Sequence, residues 1–213
     1  MSINNQENIT LFLTQMRTRF ACKRFEKRPL PENTLLAIME SGRLSPSSFG
    51  LEAWHFHVAT SEAAIASLGT ACLEQEPVTT AAAVVTIVVP RLPWFDPLGE
   101  RVTSRAARFP GTVAEFVADY QPYYEWLCEN DRLDGWARSQ SYLAAANMMQ
   151  CAIAAGIQSC PIEGFEEELV LQALKLTATE WQVGLIVAFG YPAVQDTERE
   201  KIRLALSDLV SYH

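Results

Sequence analysis

The stretch Arg138–Phe165, RSQSYLAAANMMQCAIAAGIQSCPIEGF, decides the fold that we expect for this chain. Within Tyr142–Ala155 the polar positions are Asn147 and Gln150, so a helix here has almost no polar face and should be enclosed on nearly every side. Its many alanines make a thin cylinder that another helix can approach closely. The pattern predicts a central helix that ends at Gly156, either an ordinary core helix or one in the core of a dimer.

A short strand and a turn follow this helix. We expect the strand at Ile157–Cys160 and the turn at Pro161–Gly164. Proline lacks an N–H group, and glycine adopts backbone shapes that other residues rarely use. The turn can therefore present the N–H groups of Glu163 and Gly164 to a ligand. A turn of this kind is more often only a connection between strand and helix, so the rest of the chain must decide between the two interpretations.

Length and composition limit the class of protein. The chain has 213 residues, of which 49% are hydrophobic and 20% are charged, which is typical of a globular protein with a sizeable core. We expect a single domain over residues 1–213, although this length also permits a fused pair. A formal net charge of −8 argues against a general nucleic-acid-binding protein, because neutralising phosphates needs a basic surface.

The cysteines, the histidines and the first residues narrow the class further. Five cysteines without a C-x-x-C pair indicate a reduced, cytoplasmic protein. Three histidines without a helical ligand pattern predict no metal site. The chain begins without a charged segment ahead of an apolar run, and it has no run of eighteen apolar residues. We therefore expect neither export nor a membrane span.

Helix and strand patterns alternate along the chain and predict an α+β fold or a mixed α/β layer protein. Apolar periodicity indicates helices at 7–18, 32–42, 113–130 and 165–176, and another that begins near Ser61 and reaches Gln75. Apolar runs indicate strands at 54–58, 81–89 and 182–189. The segment 94–111, which mixes Pro and Gly with charged residues, is expected to be a long loop of the kind that often forms a mobile lid.

Basic residues are concentrated near the N-terminus. The segment Arg17–Arg28 has six basic residues and one acidic residue, in a chain with 17 lysines and arginines. Phe20 and Phe25 interrupt this cluster, which favours a partly buried segment whose cations point inward. Lys201-x-Arg203 forms a second cation pair on one side of an extended chain. A solvated basic face is the alternative, but the concentration of cations in an acidic protein favours an anion site.

Two further segments are candidates for ligand contacts. Ser45–Ser48 forms a hydroxyl-rich turn around a proline, and Gly50 relaxes this turn. Tyr123 and Tyr124 belong to a helix with many aromatic residues. Such aromatic residues are more often packing residues than substrate contacts, although their number exceeds what one buried stripe requires.

Several short motifs occur together along the chain. They are Arg19-x-x-x-Lys23-x-Phe25, the Ser45–Ser48 turn leading to Trp54-His55-Phe56, Gln140, Pro161–Phe165, Val183–Pro192 and Lys201-x-Arg203. By the order and spacing of these motifs, almost the whole chain resembles the FMN-dependent nitroreductase family. The resemblance implies an α+β protein whose mixed sheet is enclosed by helices, built as an interlocked homodimer with one FMN per active site at the subunit interface. It also implies ping-pong electron transfer from NADH or NADPH to nitroaromatic or quinone acceptors.

The resemblance assigns roles to individual residues. Arg19, Lys201 and Arg203 would meet the FMN phosphate, while the charge of Lys23 would act on the pyrimidine end of the flavin ring. The complete set of implied cofactor contacts is Arg19, Phe20, Ala21, Lys23, Ser47, Ser48, Gly50, Gln75, Gln140, Pro161, Ile162, Glu163, Gly164, Lys201 and Arg203. For the contact after the third helix, Glu74 is the alternative to Gln75. We expect substrate contacts from Tyr123 and Tyr124.

The chain departs from the family pattern at three places. Ala21 stands where the family commonly has serine, Gly50 where it has asparagine, and Glu52-Ala53 where it has a glutamine-proline pair. These changes alter polar contacts and bear on substrate choice. Two other functions stay open. One is a different FMN enzyme, such as a dehydrogenase or dehalogenase for a specific metabolite, and the other is a flavin-free interaction dimer.

Overall fold

A computed structural model describes residues 5–194, 196 and 200–213. In chain order its elements are α1 (Asn5–Thr18), α2 (Glu32–Arg43), a 3-10 turn (Ser48–Gly50), β1 (His55–Ala59), α3 (Glu62–Ala71), α4 (Glu76–Thr79), β2 (Ala83–Pro90), α5 (Glu100–Ala106), α6 (Val113–Glu129), α7 (Leu133–Ala154), β3 (Gln158–Ile162), α8 (Glu167–Ala173), β4 (Trp181–Gly190) and a second 3-10 turn (Leu206–Asp208).

The four strands form one antiparallel sheet in the order β1-β2-β4-β3. Every residue of β2 is buried, as are the residues of β4 after Trp181, because side chains from the helices cover both faces. An isolated parallel bridge joins Ala21 to Ser159 in β3. The α+β fold is confirmed, and the two longest apolar runs of the sequence are its central strands.

The helix α7 packs across one face of the sheet. Its small residues Ala144–Ala145 and Ala152 are buried together with Met148 against β2 and β4. The approach is so close that a Cβ atom on Gly184 of β4 would lie 2.6 Å from Oγ of Ser141. The alanine-rich sequence of α7 predicts a helix that another backbone can approach closely, and the backbone of β4 does so.

The described part of one chain does not enclose α7 on every side, and the dimer-core alternative for this helix stays a prediction. Tyr142 and Leu143 are 43% and 44% exposed. The helix α1 has no buried residue at all, and its predicted apolar stripe is solvent-exposed at Ile9, Phe12, Leu13 and Met16. These faces are exposed because the described part of the chain places no element over them.

The segment 94–111 is not the long loop that its composition predicted. It contains α5, in which Val102 and Ala106 stand one helical turn apart and are both buried. Val102 packs with Phe95 and Tyr120 in an aromatic-rich part of the core. Two buried positions in so short a helix are a weak periodic signal, which explains why the sequence pattern did not reveal α5.

Two element boundaries also differ from the prediction. The strand β3 continues through Pro161–Ile162, which the sequence assigned to the following turn; proline is tolerated there because β3 is an edge strand of the sheet. The helix α3 ends at Ala71 instead of reaching Gln75, because Leu73 and Glu74 have left-handed φ values of 60° and 53°. Gln75 instead stands at the start of α4.

Replacing Gly184 with alanine should destabilise the fold. The added methyl group would overlap Ser141 and lie 3.1 Å from the carbonyl oxygen of Ile87, and overpacking of this kind costs about 1–3 kcal/mol. Urea unfolding followed by circular dichroism measures the change in the free energy of unfolding.

Gly135→Ala in α7 is the matched control for this substitution. The added methyl group would have no described atom within 4 Å outside its own helical turn, so this variant should gain about 0.5–1 kcal/mol from its better helix propensity. Equal free energies of unfolding for the two variants would contradict the close packing of α7 on β4.

Candidate active site

The segment Arg19–Lys23 runs along the outer edge of β3. Its central residue, Ala21, forms the parallel bridge with Ser159. Phe20 and Cys22 pack into the core. Because alternate side chains of an extended chain point to opposite sides, the two cations at the ends of this segment face away from that part of the core.

Gln158 holds the start of this segment. Its Oε1 accepts a hydrogen bond from the N–H of Phe20 at 3.1 Å, and its Nε2 donates to the carbonyl oxygen of Thr18 at 3.1 Å. Gln158 is buried, so solvent competes little for either bond. One buried amide therefore orients the backbone from which Arg19 projects.

Arg19, Lys201 and Arg203 lie together although they are far apart in sequence, and we name them the cation group. The pKa of Arg19 is lowered by burial first and then by the charge of Arg203, while Cys160 acts in the opposite direction. The pKa of Lys201 is lowered by burial and then by both arginines. Lys201 also donates from Nζ to the carbonyl oxygen of Met16 at 2.7 Å, which ties the C-terminal segment to α1.

The cation group has no compensating acid in the described part of the chain. None of the salt bridges found there involves any of its three members, and Nη1 of Arg19 is buried without a hydrogen-bond partner. A buried donor without an acceptor is costly. The arrangement suits an oxyanion such as a phosphate. That is the kind of ligand that the basic motifs of the sequence predict, and its binding stays a prediction.

Lys23 lies beside the buried thiol of Cys160. Its Nζ is 3.6 Å from Sγ of Cys160, and the backbone N–H groups of Lys23 and Arg24 both donate to the carboxylate of Asp196. Burial raises the pKa of the Cys160 thiol, although the charges of Lys23 and Arg19 act in the opposite direction. The thiol is therefore protonated at neutral pH and poorly nucleophilic.

The turn after β3 is held from two sides. Nε2 of Gln75 donates to the carbonyl oxygen of Gly164 at 2.6 Å, and the hydroxyl of Tyr142 donates to Oε1 of Glu163 at 2.8 Å. The N–H groups of Glu163 and Gly164 donate to no other backbone or side chain in the described residues, and both residues are exposed. The turn thus presents two unpaired donors, which is the feature that its sequence predicts.

Gly164 does not use the backbone freedom that the sequence suggested. Its φ lies outside the left-handed region. A Cβ atom on Gly164 would lie 3.4 Å from Nε2 of Gln75, so the glycine makes room for the amide that holds the turn. Pro161 and Ile162, which were expected in the turn, belong to β3, where Pro161 is exposed and Ile162 is buried.

Ser47, Ser48, Gly50 and Gln140 form a second group, which we name the serine-turn group. The N–H of Ser48 donates to Oε1 of Gln140 at 2.9 Å, and Oγ of Ser47 accepts from the N–H of Glu52 at 2.9 Å. Gly50 has a φ of 59°, and a Cβ atom on it would lie 2.3 Å from Cζ of Phe109. The turn needs glycine here both for its backbone and for space.

Tyr123 and Tyr124, the expected substrate contacts, are half-buried in the aromatic-rich core. The ring of Tyr123 is 5.7 Å from that of Phe49 and 6.0 Å from that of Trp136. The ring of Tyr124 is 6.0 Å from that of Tyr120, and burial raises the pKa of Tyr124 to about 12. Tyr123 adjoins the serine-turn group through Phe49; a substrate role for either tyrosine stays a prediction.

In one chain, the expected site residues fall on different sides of α7. No hydrogen bond or salt bridge among residues 5–194, 196 and 200–213 joins the serine-turn group to the cation group or to the 163–164 turn. The helix reaches both sides, because Gln140 contacts Ser48 while Tyr142 contacts Glu163. Residues two apart on a helix do not face each other, so α7 stands between the two parts of the site.

Three residues that sequence reasoning missed organise these groups. Asp196 accepts from two backbone N–H groups beside Lys23, Gln158 orients the backbone at Arg19, and Tyr142 holds Glu163. Gln158 carries a usable signal, because an amide inside an apolar strand implies a buried partner. Asp196 lies in a polar tail in which its sequence context does not distinguish it.

The sequence matches the family model described as "Nitroreductase family" over residues 16–191. The chain belongs to this family. The matched range contains Arg19, Lys23, the serine-turn group and the 163–164 turn, and it ends before Lys201 and Arg203. Membership in the nitroreductase family confirms what the short motifs of the sequence indicated.

Individual relatives extend the similarity to nearly the whole chain. A Staphylococcus epidermidis protein provisionally named an NAD(P)H nitroreductase is 32% identical over 220 residues, which cover 98% of this chain and 99% of that protein. A nitroreductase-like protein of Streptococcus mutans has a TM-score of 0.81 at 19% identity, with 96% of this chain and 99% of that chain covered. A provisionally named nitroreductase of Exiguobacterium sibiricum, solved in complex with FMN, has a TM-score of 0.75 at 23% identity and covers 95% and 97%. The two solved structures establish a shared fold.

Two kinds of feature are absent from the described residues. No helix among them combines the length and the apolar character that crossing a membrane needs. No three His, Cys, Asp or Glu side chains in the same residues are grouped so that they could hold a metal ion.

Inorganic phosphate should raise the melting temperature of the nucleotide-stripped protein through the cation group. An anion that binds the folded chain and not the unfolded chain stabilises it by mass action. Differential scanning fluorimetry over a phosphate series, with ionic strength held constant by sodium chloride, measures the shift. Arg19→Gln should remove most of the shift, whereas Arg17→Gln, at an exposed position of α1, should keep it. Equal shifts in the two variants would exclude Arg19 from the anion site.

Proposed function

We propose that this nitroreductase-family protein is an FMN-dependent NAD(P)H oxidoreductase that reduces nitroaromatic or quinone acceptors. The observation that carries the proposal is the cation group, in which a buried Nη1 of Arg19 lacks an acceptor beside Lys201 and Arg203. The terminal phosphate of FMN supplies such an acceptor. The name of the Staphylococcus epidermidis relative, an NAD(P)H nitroreductase, supports the same activity.

The residues present fit FMN at both of its ends. The cation group suits the phosphate, because a phosphate needs cations and donors to offset its loss of water. The unpaired N–H groups of Glu163 and Gly164 suit the acceptor atoms of a flavin ring, and Gln75 keeps their turn in place. Lys23 stands near Arg19, since the charges of both residues act on Cys160 of β3.

When bound, FMN supplies the electron relay between a reduced nicotinamide and an acceptor. Lys23 contributes a positive charge that stabilises negative charge developing on a neighbouring group. Cys160 stays protonated because burial raises its pKa, so we assign it no nucleophilic role. Donor and acceptor would occupy the same open space in turn, which predicts ping-pong kinetics.

We also propose that the working unit is an interlocked homodimer. The serine-turn group and the cation group lie on different sides of α7, so a cofactor reaches both when two chains meet. Both α1 and the Tyr142–Leu143 face expose apolar side chains, and the C-terminal segment does so at Ile202, Leu204, Leu206 and Leu209. Exposed apolar surface of this extent is typical of a subunit interface. A tail that packs on the partner subunit would cover it.

The same proposal treats residues 1–213 as one domain that works in the cytoplasm. One four-stranded sheet organises the chain, which supports a single domain. The five cysteines are all free, which is usual for proteins of a reducing compartment.

A reductant and acceptor screen tests the activity. The purified protein should be yellow, and it should oxidise NADPH or NADH under anaerobic conditions when a quinone or a nitrofuran is added. Lys23→Met should keep FMN but lower its midpoint potential in spectroelectrochemistry, because a positive charge near the ring is lost. Lys27→Met, at an exposed lysine in the same basic segment, should leave the potential unchanged.

The other outcomes of this screen distinguish the alternative functions and test the role of Lys23. A colourless protein that takes up no FMN would contradict the proposal and favour an interaction dimer. A yellow protein that reduces neither class of acceptor would favour an FMN enzyme with a specific metabolite. A potential unchanged in Lys23→Met would remove Lys23 from the ring environment.

Deleting the residues after Asp208 should lower dimerisation and FMN content together. The physical reason is that the tail would lose part of its apolar contact with the partner, on which both sites depend. Size-exclusion chromatography with light scattering and the flavin-to-protein ratio measure the two quantities. Glu62→Gln, at an exposed charged residue of α3 outside the proposed interface, is the control and should change neither. A monomeric wild type that holds FMN stoichiometrically would contradict the dimer proposal.

A further inference from the structure

Three arginines on and after α5 adjoin the serine-turn group. Arg101, Arg105 and Arg108 are spaced by four and three residues, which places them along one side of a helical chain. We name them the arginine cluster. Nη1 of Arg108 is 3.0 Å from Oε2 of Glu52, and its Nη2 donates to the carbonyl oxygen of Gly50 at 3.4 Å. Through Arg108, one end of the cluster therefore borders the turn that includes Ser47 and Ser48.

The arginine cluster carries more positive charge than its neighbours compensate. Glu52 pairs with Arg108, whereas no salt bridge in the described residues includes Arg101 or Arg105. Nε of Arg105 is shielded from solvent and has no hydrogen-bond partner. The pKa of Arg105 is lowered by burial first and then by Arg108 and Arg101, with Glu52 acting in the opposite direction. The charge of this half-buried guanidinium has no ion-pair partner in the described residues, and a bound oxyanion would supply one through the part of the side chain that solvent reaches.

Aromatic side chains surround this charge. The guanidinium of Arg105 lies over the ring of Trp94, 4.9 Å from its centroid. Phe109 covers Gly50, and its ring is stacked with that of Phe116 at 6.4 Å. Aromatic faces bind the apolar body of a small molecule, while arginine binds its charged end. The combination suits an organic anion better than a bare inorganic ion.

We propose that the arginine cluster binds the oxyanion of a reactant, and that this reactant is an aromatic acceptor that bears a carboxylate. Arg105 supplies the main contact, with Arg101 and Arg108 raising the local positive potential. The inference rests on the proposed function, because it places the acceptor beside the serine turn of an FMN site. The 2′-phosphate of NADPH has the same oxyanion chemistry, so the test must separate the two sources.

A pair of acceptors that differ only in charge provides the test. The nitroaromatic ring is the same in para-nitrobenzoate and para-nitrobenzamide, but only the benzoate carries a negative charge. The ratio of kcat/KM for benzoate over benzamide should fall about tenfold or more in Arg105→Gln, because a charge-assisted contact is lost. Arg132→Gln is the matched control: Arg132 also lies over a tryptophan, 5.5 Å from the ring of Trp126, and its loss should leave the ratio unchanged.

Two further measurements complete the test. One covers the case in which Arg105→Gln folds poorly, and the other shows whether the bound oxyanion belongs to the acceptor or to NADPH. Arg101→Gln, at an exposed residue, should lower the same ratio to a smaller degree even if Arg105→Gln folds poorly. The ratio of kcat/KM for NADPH over NADH is measured in every variant. If it falls in Arg105→Gln while the benzoate ratio holds, the bound oxyanion is the phosphate of the donor and the carboxylate assignment is wrong.

The remaining outcomes decide the proposal in each case. Unchanged benzoate and NADPH ratios in both Arg105→Gln and Arg101→Gln would overturn it, and so would a loss of FMN from Arg105→Gln, since the cluster would then serve the cofactor. If no acceptor is reduced at all, the proposed function fails. Calorimetric titration with para-nitrobenzoate then tests whether the arginine cluster binds a carboxylate. Binding that weakens in Arg105→Gln and not in Arg132→Gln supports this proposal, and equal binding in the two variants overturns it.

Discussion

The close contact between α7 and the sheet is the constraint on which the rest of the structure depends. Ser141 sits so near Gly184 that a methyl group does not fit between them, and alanines continue the contact along the helix. This distance brings Gln140 and Tyr142 within hydrogen-bond reach of loops on either side of α7. A bulkier helix would stand further from β4, and both loops would lose their anchors. The core therefore sets the spacing of the candidate site.

Among the described residues of this acidic protein, half-buried arginines without an ion pair occur at two places, Arg19 and Arg105. Arg91 and Arg138 share Glu167, and Arg43 pairs with Glu40. Nε of Arg138 is also buried without an acceptor, but Arg138 keeps its ion pair with Glu167. Arg19 of the cation group and Arg105 of the arginine cluster each have a buried donor without an acceptor and no salt bridge in the described residues. Exposed ion pairs contribute little to stability, whereas an unpaired buried donor has a definite cost. A bound ligand that provides the missing acceptor would offset this free-energy cost, both near the Arg19 segment and near the serine turn.

Particular residues show how far the sequence predicts the fold and the site. The strands β2 and β4 are predictable because a long apolar run bounded by polar residues has few alternatives to a buried strand. The position of Arg19 and Lys23 on the same side of an extended segment is predictable from the alternation with Phe20 and Cys22. The division of the site by α7 is not predictable, since it depends on the rotation of one helix relative to loops that are distant in sequence. Periodicity identifies α1 as amphipathic, but it cannot say which chain covers its apolar face.

The contact between Lys201 and Met16 spans 185 positions of the chain, and it has a consequence for biosynthesis. Proteins are made from the N-terminus, and parts of a chain can fold while synthesis continues. The segment that carries Arg19 is synthesised long before Lys201 and Arg203. A growing chain that has not reached Lys201 therefore lacks two of the three members of the cation group. The proposed anion site cannot hold a ligand with all three cations until synthesis has passed Arg203.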